Sequence, residues 1–170
     1  MIRLARADDV VAMRRIEVAA GKVFTTVGMD AVAGDEALPA EELLEYQRDG
    51  RAWVATDEAD RPVAYLIAKW VDGNVHVEQV SVDPAYAGRR IGAALIEQVA
   101  GWAAERNAPA LTLTTFAEVA WNGPYYERLG FRVLPTVELT PGLIEIRVEE
   151  AAHGLDRWQR LCMRRDLNAA

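Results

Sequence analysis

Cysteine is almost absent from this chain: Cys162 is the only one in 170 residues. That excludes an internal disulfide and any cysteine-based zinc cluster. Histidine is as scarce, with only His76 and His153, which do not make a ligand set, so no metal is expected. No apolar run approaches the span of a membrane helix. The opening M-I-R-L-A-R-A-D-D lacks the apolar core of a signal peptide. A soluble, cytoplasmic protein without a membrane partner is expected. Excess positive charge is missing too: 19 Lys and Arg stand against 26 Asp and Glu, a net charge of −7. There is thus no global basic field for nucleic acid. What is plentiful is apolar side chain, 51% of residues, which rejects a disordered tail or linker. The length suits one domain, 1–170, with a core of its own.

Periodicity divides the chain into alternating short elements. Ile2 to Leu4 starts a sheet, and Asp8 or Asp9 is expected to cap a helix whose Val10, Met13 and Ile16 face inward. Residues 24–39 read as a loop with one helical turn, and Pro39 restarts a helix that ends near Asp49-Gly50. Strands are expected at 53–56, 63–71 and 75–82, the last two joined by the hairpin turn Asp72-Gly73-Asn74. A helix from Ile91, a β-branched strand at 111–115, a short helix at 124–129 and a strand at 131–134 follow. Residues 144–152 fit helix or strand, with helix favoured by propensity, and 160–165 close the chain as a strand. The pattern predicts an α+β fold around a mixed, mostly antiparallel sheet flanked by helices.

The segment V80-S-V-D-P-A-Y-A-G-R-R-I-G-A-A-L95 carries the most chemistry. Val80 and Val82 alternate as in a strand, and Pro84 ends the ladder. Ile91, Ala94, Leu95, Val99 and Trp102 then form a helical stripe with no conventional side-chain cap before it. Such a helix start presents unpaired N–H groups to an anion. Gly88 and Gly92 allow a bulky anion to approach, while Arg89 and Arg90 add charge. A diphosphate is the natural guest, although glycine-bearing turns before helices are common. It is not a phosphate loop of the G-K-[ST] kind, nor a dinucleotide fingerprint.

The spacing V-x-V-x-P-x-x-x-G-R-x-I-G-x-x-L resembles the acetyl-CoA-binding motif of the GCN5-related N-acetyltransferases, the GNAT family. The family core, [QR]-x-x-G-x-[GA], falls on Ala87 to Gly92. Gly92 matches, whereas Ala87 replaces Gln or Arg and Arg90 replaces the middle glycine, so the motif is a variant. The resemblance implies acetyl-CoA as co-substrate, held by the amides of Gly88, Arg89, Arg90, Ile91, Gly92 and Ala93 and by the main chains of Val80 and Val82. A second segment, W121-N-G-P-Y-Y-E-R-L-G-F131, is similar to the family's later motif and matches its Y-x-x-x-G-F ending at Tyr126, Gly130 and Phe131. Tyr126 would lie near the CoA sulfur and protonate the leaving thiolate. The family's N-x-x-A is out of register, and Asn122 would supply the amide from a shifted position.

Acetyl transfer also needs a base for the amine proton. His76, Glu78, Val80 and Val82 share one face by period two. Glu78 is the first candidate, directly or through water, and His76 the second. An edge-strand polar position is the bland alternative for either. Asp83 reads as a turn cap. For the acceptor, Phe24, Met29 and Trp70 are expected to line the pocket, together with 138–149. The implied activity is acyl transfer from acetyl-CoA to a primary amine of a small molecule by direct attack in a ternary complex. A non-catalytic acyl-CoA-binding module and a protein N-terminal or lysine acetyltransferase remain as alternatives. A homodimer is left open.

Overall fold

β-Branched and aromatic runs build seven strands, hydrogen-bonded in the order β1-β2-β3-β4-β5-β7-β6. The computed structural model describes residues 1–34 and 36–167. The strands are β1 (Ile2–Leu4), β2 (Ala52–Thr56), β3 (Pro62–Val71), β4 (Asn74–Val82), β5 (Ala110–Phe116), β6 (Arg132–Val133) and β7 (Arg160–Asp166). β4 and β5 run parallel, pairing at Val75–Leu111 and His76–Thr112, while β1–β2, β2–β3, β5–β7 and β6–β7 are antiparallel. The helices are α1 (Val10–Gly21), α2 (Asp30–Ala33), α3 (Ala40–Arg48), α4 (Ile91–Glu105), α5 (Gly123–Arg128) and α6 (Pro141–Ala152). This is the α+β class expected from the sequence, with a mostly antiparallel sheet flanked by helices, and the ambiguous 144–152 segment is helical.

The chain divides into two compact units. In the first, residues 1–69 and 78–99, the inward stripe of α1 (Val10, Met13, Ile16) and Leu43 of α3 pack on Val54, Tyr65 and Ile67 of the sheet. Their near-complete burial makes apolar transfer the main stabilising term, about 1.5–3 kcal/mol per large side chain. The expected aspartate cap on α1 is absent. Asp9 instead accepts from the Arg6 backbone N–H at 2.7 Å and from the two terminal guanidinium nitrogens of Arg3, at 2.7 and 3.1 Å. A buried carboxylate next to an arginine is better satisfied by that pair than by one helix amide.

The second unit comprises residues 70–77 and 100–167. Its core includes Leu134, Leu143 and Cys162, with Val71, Leu139 and Ile146 against them. Asp72 and Gly73 both have positive φ, 51° and 82°, the conformation a two-residue hairpin turn requires. Asp72 also accepts, through Oδ2, a 2.8 Å hydrogen bond from Gly142 N–H in the first turn of α6. Pro141 and Gly142 thus open a helix that is capped from a distant hairpin. Glu150 of α6 is fastened to β5 and β7 by Thr114 Oγ1 at 2.5 Å and Arg160 at 2.7 Å.

Candidate functional site

Asp83 ends β4 by accepting from Ala85 N–H at 3.0 Å, the turn-capping role expected of it. Two left-handed residues follow, Gly88 at φ 77° and Arg90 at φ 59°. The sequence pattern marks Arg90 as the residue standing where a glycine belongs, and its backbone has taken the glycine conformation nonetheless. A non-glycine residue there costs about 1–2 kcal/mol. The Arg90 carbonyl accepts from Ala94 N–H at 3.1 Å, so α4 begins at once and the amides of Ile91, Gly92 and Ala93 precede its first internal bond. Gly92, buried at that helix start, adds no Cβ of its own beside those amides. Arg89 lies over the Tyr86 ring at 4.9 Å, and Arg89 and Arg90 border an open cavity of about 460 Å³ floored by Ala55, Thr56 and Val63. The loop therefore suits a multiply charged anion such as a diphosphate: free amides, a helix N-terminus and two guanidiniums converge on a short stretch.

β4 carries a feature absent from its sequence pattern. Asp83 N–H donates to Val63 C=O at 2.9 Å. Regular alternation from that pair puts Ser81 beside Tyr65 and turns Glu78 to the face opposite Tyr65 and Lys69. Glu78 nonetheless meets Lys69, at 3.1 Å, and acts on Tyr46 of α3, so it lies on the same face as Ser81. One extra residue between Glu78 and Ser81, a β-bulge, accounts for the change of face. Counted from the Asp72-Gly73 turn, β4 carries one residue more than β3 before the Val63–Asp83 pair. The expectation that Glu78 shares a face with Val80 and Val82 is thereby corrected. Glu78, Gln79 and Ser81 point to the α1 and α3 side, and Val80 and Val82 to the other. Glu78 is half-buried, with the ammonium of Lys69 against it. Tyr46 of α3 is pushed up to about 12, first by burial and then by the negative charge of Glu78, with Arg51 over its ring at 4.8 Å pulling the other way.

In the second unit, His76 is 1% exposed, and its Nδ1 lies 2.8 Å from Thr112 Oγ1 on the paired strand. Both faces of the sheet are covered over residues 74–77, so this histidine is an interior pairing group and not the open one expected. Tyr126 of α5 is buried, its ring 5.8 Å from Phe131 and 5.3 Å from Tyr125. Burial, and then Tyr125, push its phenol far above the ordinary value, so it keeps its proton at any physiological pH. Asn122 directs its Oδ1 to the end of β5, accepting from Thr115 Oγ1 at 2.6 Å and Phe116 N–H at 3.4 Å. Gly123 begins α5, and a Cβ there would lie 2.8 Å from the Ala117 carbonyl, so the close approach that places Tyr126 needs glycine. Of the expected acceptor residues, Met29 is buried, Phe24 half-buried, and Trp70 rests on Trp102 at 5.9 Å. Among the described residues no group of three or more His, Cys, Asp or Glu is assembled to hold a metal.

The anion loop and the tyrosine helix are matched together by one family model, the acetyltransferase (GNAT) family, over residues 22–131. The chain belongs to that family. This N-acetyltransferase shares its fold with enzymes of low sequence identity. The ribosomal-protein-S18-alanine N-acetyltransferase of Escherichia coli is 20% identical, with a TM-score of 0.70 over 100% of this chain and 95% of that one. A GNAT acetyltransferase from Staphylococcus aureus Mu50 is 15% identical, with a TM-score of 0.74 over 99% of both chains. The paia N-acetyltransferase of Thermoplasma acidophilum, solved in complex with coenzyme A, is 14% identical, with a TM-score of 0.69 over 98% of both. The family match, with a relative of the fold solved in complex with coenzyme A, supports acetyl-CoA as the co-substrate. Sequence reasoning did not find Lys69, Tyr46 or the buried Tyr65 beside Glu78 and Ser81. Their only signal is cross-strand register, which depends on the bulge.

Proposed function

We propose that this acetyltransferase moves the acetyl group to a primary amine of a small molecule by direct attack within a ternary complex. The observation that carries it is the half-buried Glu78, held on a bulge of the strand that leads into the acetyl-CoA loop. An amine arrives protonated and must lose a proton before it attacks. Glu78, with the Lys69 ammonium 3.1 Å away, receives that proton directly or through water. The amine nitrogen then forms a bond to the thioester carbonyl carbon, the C–S bond breaks, Tyr126 donates its proton to the departing thiolate, and the second proton of the attacking nitrogen leaves through water and restores the Tyr126 phenol. The amides from Gly88 to Ala93, the main chains of Val80 and Val82, and Asn122 hold the cofactor, with Ala87 contributing backbone only. His76, though it was a candidate base, is assigned the sheet-pairing role. Thiol release from acetyl-CoA measured across a panel of primary amines tests the reading. Saturable release with at least one small amine is expected. Binding of acetyl-CoA without turnover on any amine would instead favour a non-catalytic acyl-CoA module.

A further inference from the structure

Lysine is scarce in this chain: of its 19 basic side chains all but Lys22 and Lys69 are arginine. Ion pairs elsewhere follow that preference. Arg3 holds Asp9, Arg51 holds Asp49 and Arg160 holds Glu150, each at 2.7 Å. Arginine keeps its proton in proteins and offers a carboxylate two parallel donors, which makes it the better partner for a purely structural pair. Glu78 instead faces Lys69, whose ammonium can lose a proton and become a nucleophile. Lys69 Nζ lies 3.1 Å from Glu78 Oε2, and the two side chains are 32% and 31% exposed. A pair so open is only weakly stabilising, and its nitrogen is accessible from solvent.

A general base takes its proton from a nitrogen within hydrogen-bond reach. The Lys69 nitrogen already stands at that distance from Glu78, on a flexible stem. We propose that Lys69 is a self-acetylation site: without acceptor, the enzyme transfers the acetyl group of acetyl-CoA to this amine, and Glu78 takes the proton. The inference rests on the reading of Glu78 as the base. Glu78 removes one proton from the Lys69 ammonium, the freed nitrogen bonds to the thioester carbonyl carbon, and the C–S bond breaks. The second proton shed by the nitrogen balances the one gained by the departing thiolate. The products are an amide at Lys69, coenzyme A as the thiol, and a protonated Glu78. An acceptor ammonium seated on Glu78 displaces Lys69, so acceptor and self-acetylation compete for one carboxylate.

The test incubates the full chain with acetyl-CoA bearing a deuterated acetyl group, without acceptor, and locates the label by peptide mass spectrometry. Deuterium separates new label from any acetyl group acquired during expression. Lys22, exposed just past α1, is the internal reference. Label is expected on Lys69 about 10²-fold faster than on Lys22, near the low end of what a positioned base supplies. Glu78→Gln, with its melting temperature as the check on folding, should bring Lys69 down to the Lys22 rate. Saturating acceptor should do the same in the unaltered protein. Equal rates at the two lysines overturn the proposal, as does an excess that survives unfolding in urea, which is ordinary chemical acetylation. An excess untouched by Glu78→Gln overturns it too, since the proposed base is then not involved. A rate per chain that rises with protein concentration places the transfer between molecules and overturns the in-chain assignment. Thiol release with small amines but no label at Lys69 overturns this inference alone. Label at Lys69 with no release on any amine supports it, and the small-molecule reading then fails separately.

Discussion

Arg90 holds a left-handed backbone that a glycine would adopt freely. Its side chain is exposed beside the helix start, so the strain has a use only if the guanidinium meets the anion. Arg90→Gly removes about 1–2 kcal/mol of strain and adds about 0.5–1 kcal/mol of chain entropy to be lost on folding. The variant should melt no lower than the parent while binding acetyl-CoA several-fold more weakly, as read by thermal denaturation and calorimetry. Gly92 is the converse case: a bulky residue there should weaken acetyl-CoA binding at least tenfold, about 1.4 kcal/mol. Tyr126→Phe keeps the ring packing against Phe131 and removes the proton donor. A phenol raised by burial is a weaker acid, so the loss in turnover should be about 10²-fold, near the low end for one positioned proton donor, with acetyl-CoA affinity retained. Glu78→Gln should lower kcat/KM by roughly 10- to 10³-fold at pH 7, and the deficit should shrink at higher pH, where more amine is free. An unaltered pH–rate profile would remove Glu78 from the base role.

At the scale of elements, α6 depends on a side chain outside itself. Asp72→Ala removes the acceptor of Gly142 N–H and should cost about 1 kcal/mol, seen as a lower melting temperature. Gly142→Ala should do at least as much harm, because its Cβ would fall 2.6 Å from Val71 Cγ1 and 2.8 Å from Asp72 Oδ2. Neither dependence could be read from residues 141–152 alone, where propensity gave helix and nothing identified its cap. The same contrast runs through the site. The loop from Asp83 to Ala94 was legible because glycine, proline and a helical stripe are local signals. The bulge was not, since period two gives no warning of one inserted residue, and every face assignment beyond Glu78 then inverted. His76 read as a candidate base on an open face because alternation cannot tell a solvated face from a covered one. Its partner Thr112 lies on another strand, and burial there is a property of the sheet.

Across the whole molecule, a net charge of −7 is locally offset at carboxylates that hold the fold together. Burial would raise Asp9, but the hydrogen bonds from Arg3 and the Arg6 backbone overcome it and hold the carboxyl below its ordinary value. At Glu150 burial is likewise outweighed by Arg160, then Thr114 and Arg147. Groups depressed in the folded state stabilise it above their unfolded values, near 4, and that stability is lost as pH falls through the folded ones. Buried phenols act in the opposite direction. Tyr46, raised to about 12, withdraws stability as pH climbs past the unfolded value near 10. The melting temperature should therefore be flat between about pH 5 and 9 and fall on both sides. Asp9→Asn should lower the plateau and flatten the acid limb, and an acid limb unchanged by that variant would exclude Asp9 as a contributor.

Cys162 lies in the covered middle of β7, 4% exposed, with its thiol pushed up to about 11, chiefly by burial. Reaction with a disulfide reagent requires both access and thiolate, and this side chain offers little of either. The folded enzyme is consequently almost silent in a colorimetric thiol titration, so the sulfur counted during turnover is that of free coenzyme A. The slow remaining colour development, followed without substrate, becomes a clock for how often β7 lifts from its neighbours.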